Sequence, residues 1–96
     1  MLDPSLLILA SLAEGDKHGY AMMEDIESFA GARLGPGTLY GAITRLAAAG
    51  LIRAVAMSDK HRQPYTLSAA GRRALREQLA GLSPVVKTGL KRLGPA

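Results

Sequence analysis

The chain has 96 residues, which argues for one domain; at this length only part of the unfolded surface is buried, so a partner subunit would add stability. Hydrophobic residues make up 48% and aromatics only 4%, so the core must be built from Leu, Ile, Ala, Val and Met, and with no cysteine, disulfides and thiolate metal sites are excluded, as suits a reducing, cytoplasmic setting. Net charge is +4 and unevenly placed: up to Ala30 the acids Asp3, Glu14, Asp16, Glu24, Asp25 and Glu27 stand against one base, Lys17, whereas beyond it lie only Asp59 and Glu77 and the other eleven Lys and Arg residues. A basic part of this kind suits a polyanion; the alternative is a solvated basic surface.

The first predicted element is a short helix over about Pro4 to Ala13, with Leu6, Leu7, Ala10 and Leu12 inward. Its apolar run from Ser5 to Ala13 is far too short to span a bilayer, and with Asp3 and no basic stretch before it, it is not a secretion signal. No membrane association is expected. "EGDKHG" is polar and bounded by glycine, and reads as a loop.

Gly19 to Ala30 is an amphipathic helix. At about 100° per residue, Met22, Met23, Ile26, Phe29 and Ala30 fall in one arc, with Tyr20, Glu24 and Glu27 opposite. Tyr20 either packs on a neighbouring loop or presents its hydroxyl to a phosphate. The next helix, Gly37 to Ala49, begins in "LGPGTLYGAITRL". Pro36 fixes the starting dihedral, and Gly35 and Gly37 are expected to permit a tight turn. Leu39, Ile43 and Leu46 form its core side and Gly50 caps its end. The far side holds Gly37, Gly41, Thr44 and Ala48, with Tyr40 and Arg45 on the shoulders. Two glycines there cost helix stability, roughly 1 kcal/mol each against alanine. A bare face of this kind suits either close approach of a groove wall or packing inside the protein.

"LIRAVAM", Leu51 to Met57, has strand character, "SDKHRQ" is a polar basic turn, and "PYTL" is a second short strand, giving a hairpin with Pro64 near its start. Lys60, His61 and Arg62 at the turn suit a phosphate backbone or minor groove, which tips the bare helix toward a groove. Ser68 caps a last helical stretch in which Leu75, Leu79, Leu82 and Val86 follow a 4-3 spacing, with Leu90 and Leu93 beyond. Gly81 and Pro84 predict two helices there, the second capped by Ser83. The fold class is mainly α with a small β-hairpin: a winged helix-turn-helix over residues 1–67 and a C-terminal helical dimerisation segment over 68–96.

An enzyme is not expected. His18 and His61 are the only histidines and both sit in polar basic loops, no metal-ligand spacing occurs, the serines lack a nucleophile elbow, and Gly35-Pro36-Gly37 lacks the lysine and hydroxyl of a phosphate-cradling loop. No cofactor or metal is expected.

Three stretches, "HGY" at 18–20, "LGPGTLYGAITRLAAAGLI" at 34–52 and "RQPYTLSAAG" at 62–71, resemble the PadR family of bacterial transcriptional regulators. The resemblance implies a winged-helix domain binding double-stranded DNA, a homodimer formed through C-terminal helices with help from the first helix, and usually repression. Tyr20, Thr38 and Tyr40 match positions associated with the family's DNA face, and Lys60 to Arg62 match its basic wing. The turn "SDKHRQ" departs from the Gly-rich wing tip common in the family, and the short C-terminal region argues against a large effector pocket. The candidate DNA-binding residues are Lys17, Tyr20, Gly37, Thr38, Tyr40, Thr44, Arg45, Lys60, His61 and Arg62. The candidate dimer interface is Leu6, Leu75, Leu79, Leu82, Val86 and Leu90. A winged helix used for protein contact, without DNA, is the other reading of the same pattern.

Overall fold

The structure, a computed structural model, describes residues 2–57 and 62–95. Helix α1, Pro4–Ala13, starts where Asp3 Oδ1 accepts the Ser5 amide at 3.1 Å and Pro4 takes the first helical position. It packs against α2, Gly19–Ala30; α3, Pro36–Ala48; β3, Pro64–Leu67; and α4, Ala69–Leu93. That central position explains its composition. Leu6, Leu7, Ile8, Leu9, Ser11 and Leu12 are all buried, more than the one-sided arc read from the sequence, because a helix with neighbours all round has little outer face to leave polar.

The segment read as a loop contains a strand, β1, Lys17–His18. It pairs antiparallel with β3, matching Lys17 to Tyr65 and His18 to Pro64. On the other edge β2, Ile52–Ala54, pairs with β3 through Ile52 to Leu67, Arg53 to Thr66 and Ala54 to Tyr65. The expected hairpin is therefore two strands of a three-stranded sheet ordered β1-β3-β2. Two residues carry too little alternation to mark β1 in the sequence; pairing from a distant strand makes it.

Helices α2 and α3 make the helix-turn-helix. Gly31 caps α2 at φ 65°. The turn then runs to Gly35, with Leu34 and Leu39 at the two positions of a hydrophobic staple, both buried in the core. Gly35 is extended at φ −73°, and neither it nor Gly37 has positive φ. So the two glycines do not relieve backbone strain, contrary to expectation; Pro36 and the staple direct the helix. Phe29, expected inward, is 51% exposed, since the core beneath α2 is filled by Met22 and Ile26.

The C-terminal stretch is one helix, not two. Helix α4 runs from Ala69 to Leu93 with Pro84 inside it. Proline removes one bond to the carbonyl four residues earlier, that of Ala80. Ala80 and its surroundings are exposed, so water can satisfy that carbonyl and the helix continues. Its first turns are locked to the winged part. Ser68 Oγ accepts the Gly71 amide at 3.0 Å and donates to the Gly50 carbonyl at 2.7 Å, while the Ser68 amide donates to the Leu51 carbonyl at 3.0 Å. A Cβ on Gly71 would collide with that Leu51 oxygen, so only glycine permits the approach.

Candidate nucleic-acid interface

The outer face of α3 is open. Thr38, Tyr40, Thr44 and Arg45 are exposed, and a side chain at Gly37 would meet nothing within 4 Å. The alternative in which this face packs inside the protein is therefore removed. Four buried residues, Leu39, Ala42, Ile43 and Leu46, hold the opposite face in the core and fix which side looks out. Thr44 Oγ1 donates back to the Tyr40 carbonyl at 2.9 Å, which uses its proton and leaves the oxygen free to accept. Arg45 folds its guanidinium over Gly41, with Nη1 3.5 Å from where a Cβ would stand. The long side chain thus lies along the helix toward its leading end, at ordinary contact distance from that position.

Tyr40 has a second role. Its ring lies on the backbone of Gly19, where a Cβ would be 2.5 Å from the hydroxyl oxygen and 2.8 Å from Cζ. It therefore braces α3 against the start of α2 while remaining 48% exposed. Tyr20, next to Gly19, is more exposed still. His18, Gly19, Tyr20, Tyr40, Arg62 and Gln63 line one cleft of about 300 Å³ where β1, α2, α3 and the base of the wing meet. Gln63 holds the wing base, its side-chain nitrogen donating to the Val55 and Pro64 carbonyls at 2.7 and 2.8 Å.

His18 is a residue that sequence reasoning left out of the site. Its Nδ1 accepts the Ala21 amide at 3.2 Å and so caps α2, and its Nε2 lies 3.4 Å from Arg62 Nη1. The available signal was its position immediately before the helix, where a polar side chain caps. Lys60 and His61 lie outside the described residues.

Lys17 does not belong to this face. Its ammonium donates to the Ser11 carbonyl at 2.6 Å and sits 3.8 Å from Asp25 and 3.9 Å from Glu14, with its side chain 14% exposed. Ser11 Oγ in turn donates to Asp25 at 2.7 Å. The cluster satisfies the buried Ser11 and ties α1, β1 and α2 together; a partly buried charge held this way is unavailable to a phosphate.

The candidate dimer residues divide in two. Leu6 and Leu75 are 8% and 7% exposed and belong to this chain's own core, so neither presents a surface to a partner. Leu79, Leu82, Val86 and Leu90 are exposed, as are Val85 and Leu93. Among the described residues no group of three His, Cys, Asp or Glu is placed to hold a metal ion, and no helix is long and apolar enough to cross a membrane.

Comparison with known proteins agrees with this geometry. A PadR family transcription regulator from hypervirulent Clostridium difficile superposes with a TM-score of 0.82 at 23% identity, covering 95% of this chain and 98% of that one. RosR from H. salinarum superposes at 0.74 with 27% identity, covering 88% and 76%. A protein described as an uncharacterized 37.1 kDa protein in a transposon of Streptomyces fradiae is 47% identical over 77 residues, 79% of this chain, and the chain spans only 22% of that relative's length. Residues 8–77 match the Transcriptional regulator PadR-like family. With its winged helix-turn-helix and the match extending over most of its length, the chain belongs to the PadR family of transcription regulators.

Proposed function

We propose that this chain is a cytoplasmic, sequence-specific DNA-binding repressor that acts as a homodimer, with α3 in the major groove and the 58–63 wing on the backbone or minor groove. The observation that carries the reading is the outer face of α3: bare at Gly37, polar only at Thr38, Tyr40, Thr44 and Arg45, and held outward by a buried opposite face. A helix reading a groove needs low relief in its middle and donors at its edges. Arg62 supplies positive charge beside it for phosphates, and Lys60 and His61 precede it in the sequence. Residues 1–67 form the DNA-binding unit in this reading, and 68–96 the dimerisation segment. Its exposed Leu79, Leu82, Val86 and Leu90 make a stripe that a second α4 would cover. A dimer would present two α3 helices to two half-sites.

Duplex binding measured at several salt concentrations tests the reading. Log affinity should fall linearly with log salt, with a slope of about −0.9 for each phosphate neutralised. Selection of bound fragments from genomic DNA should return a pseudo-palindromic site. Negligible binding that does not vary with salt would overturn the proposal in favour of a winged helix used for protein contact.

A further inference from the structure

The contact between His18 and Arg62 does not work as a hydrogen bond. The Ala21 amide is a donor under all conditions and points at His18 Nδ1 from 3.2 Å. Nδ1 must therefore accept, which in the neutral ring places the proton on Nε2, a tautomer assigned from the bonding network. Arg62 Nη1, 3.4 Å from that Nε2, carries only donors. Two donors from different elements, β1 and the wing base, thus converge with no acceptor between them among the described residues. Among the described residues lining their cleft none is a carboxylate, and the neutral oxygens of Gln63, Tyr20 and Tyr40 make no hydrogen bond to either group. None of the ion pairs among the described residues involves Arg62. The cleft is flanked by the exposed Tyr20 and Tyr40, and Tyr40 belongs to α3 itself.

We propose that His18 Nε2–H and the Arg62 guanidinium jointly grip one phosphate of the DNA backbone, so that wing and helix-turn-helix close on the same phosphate. The assignment rests on the DNA-binding reading above and adds a specific clamp to it. An anionic oxygen is the acceptor both groups need: bound between them it turns a donor–donor contact into two charge-assisted bonds. The start of α2, with the positive end of its dipole, adjoins the same cleft through Gly19 and Tyr20. His18 then has two linked functions. Capping α2 through Nδ1 sets the tautomer, and the tautomer supplies the phosphate donor. The ligand is a duplex phosphate rather than a free anion, because the cleft adjoins α3 and lies at the foot of the wing.

The test compares wild type, His18→Asn, Arg62→Ala and the double variant by salt-titrated duplex binding. Asparagine can still cap α2 through its side-chain oxygen but does not reach as far as Nε2, so helix and melting temperature should be kept. His18→Asn should weaken binding on the order of tenfold, as expected for one bond to a charged group, with the salt slope unchanged. Arg62→Ala should weaken binding and make the slope shallower by about one. The double variant should lose clearly less than the product of the single losses, since both residues serve one phosphate. Ring nitrogen chemical shifts in the free protein should report the Nε2–H tautomer, and that proton should shift on adding duplex but not on adding inorganic phosphate alone. Unchanged affinity in His18→Asn, strictly multiplicative losses, the Nδ1–H tautomer or an equal response to inorganic phosphate each overturns the shared clamp while DNA binding stands. Salt-independent, negligible binding by wild type overturns the DNA reading and the clamp with it.

Discussion

Replacing Gly19 with alanine puts a methyl group into the ring of Tyr40. The new carbon would stand 2.5 Å from the hydroxyl oxygen, 2.8 Å from Cζ and 3.0 Å from Cε1. Ordinary contact needs ≈ 3.5–4.0 Å, so the outer end of the ring must retreat by roughly 1 Å or α2 must move away from α3. Overpacking of this kind costs about 1–3 kcal/mol. Away from the clash, Gly→Ala at a compatible backbone position stabilises by about 0.4–1 kcal/mol. The two effects separate in a cycle with Tyr40→Ala. The net cost of about 1–2 kcal/mol should lower Tm by about 4–16 °C in the wild type, using about 4–8 °C per kcal/mol for a chain of this size. In the Tyr40→Ala background the same change should be neutral or stabilising, giving a coupling of about 2 kcal/mol. Chemical denaturation with a matched m-value is the assay, and duplex affinity should fall in Gly19→Ala because Tyr40 is pushed from its place beside α3. An equal cost in both backgrounds would refute the claim that Tyr40 braces α2 against α3.

Gly71→Ala should destabilise by about 2 kcal/mol or more, because its neighbour is the Leu51 backbone carbonyl and cannot swing aside; Gly81→Ala, in the same helix with nothing within 4 Å, should raise helicity by circular dichroism without lowering Tm. Lys17→Met should cost about 1–3 kcal/mol in denaturant unfolding, by leaving Asp25 partly buried without its cation, yet keep the salt slope of duplex binding; a shallower slope would return Lys17 to the DNA face. Leu79→Asp should shift the protein toward monomer in light scattering and weaken binding to a two-half-site duplex, with the melting of the winged part little changed because Leu79 is exposed; an intact dimer would remove this residue from the interface.

Much of the fold is legible because helices α2 and α3 write their packing into a local period. Leu39, Ile43 and Leu46 recur at helical spacing, and the structure buries all three. The same wheel identified the bare face of α3, since glycine at Gly37 and Gly41 is informative wherever a solvent-facing helix would carry charge. It did not determine whether that face met protein or solvent, a choice made only when α1 occupied the other side. Local period also failed where neighbours decide. Helix α1 has no arc because it is surrounded, β1 exists only as a partner of β3, and Pro84 is carried within α4 because the carbonyl it orphans is exposed.

By itself, then, the sequence determined the order of α1, α2, α3 and the hairpin strands, the stiff start of α3, the basic C-terminal part and the 4-3 apolar spacing in α4, all of which depend on residues close together in the chain. Only the tertiary structure assigned the charges and the rings. Lys17 looked like a basic residue next to a DNA-facing helix until Ser11 and Asp25 closed around it. Tyr40 meets Gly19 across 21 positions of sequence, and Arg62 meets His18 across 44. Such pairs leave no periodic trace, because their partners are set by how β1, α2, α3 and the wing are docked on α1 rather than by any spacing within them.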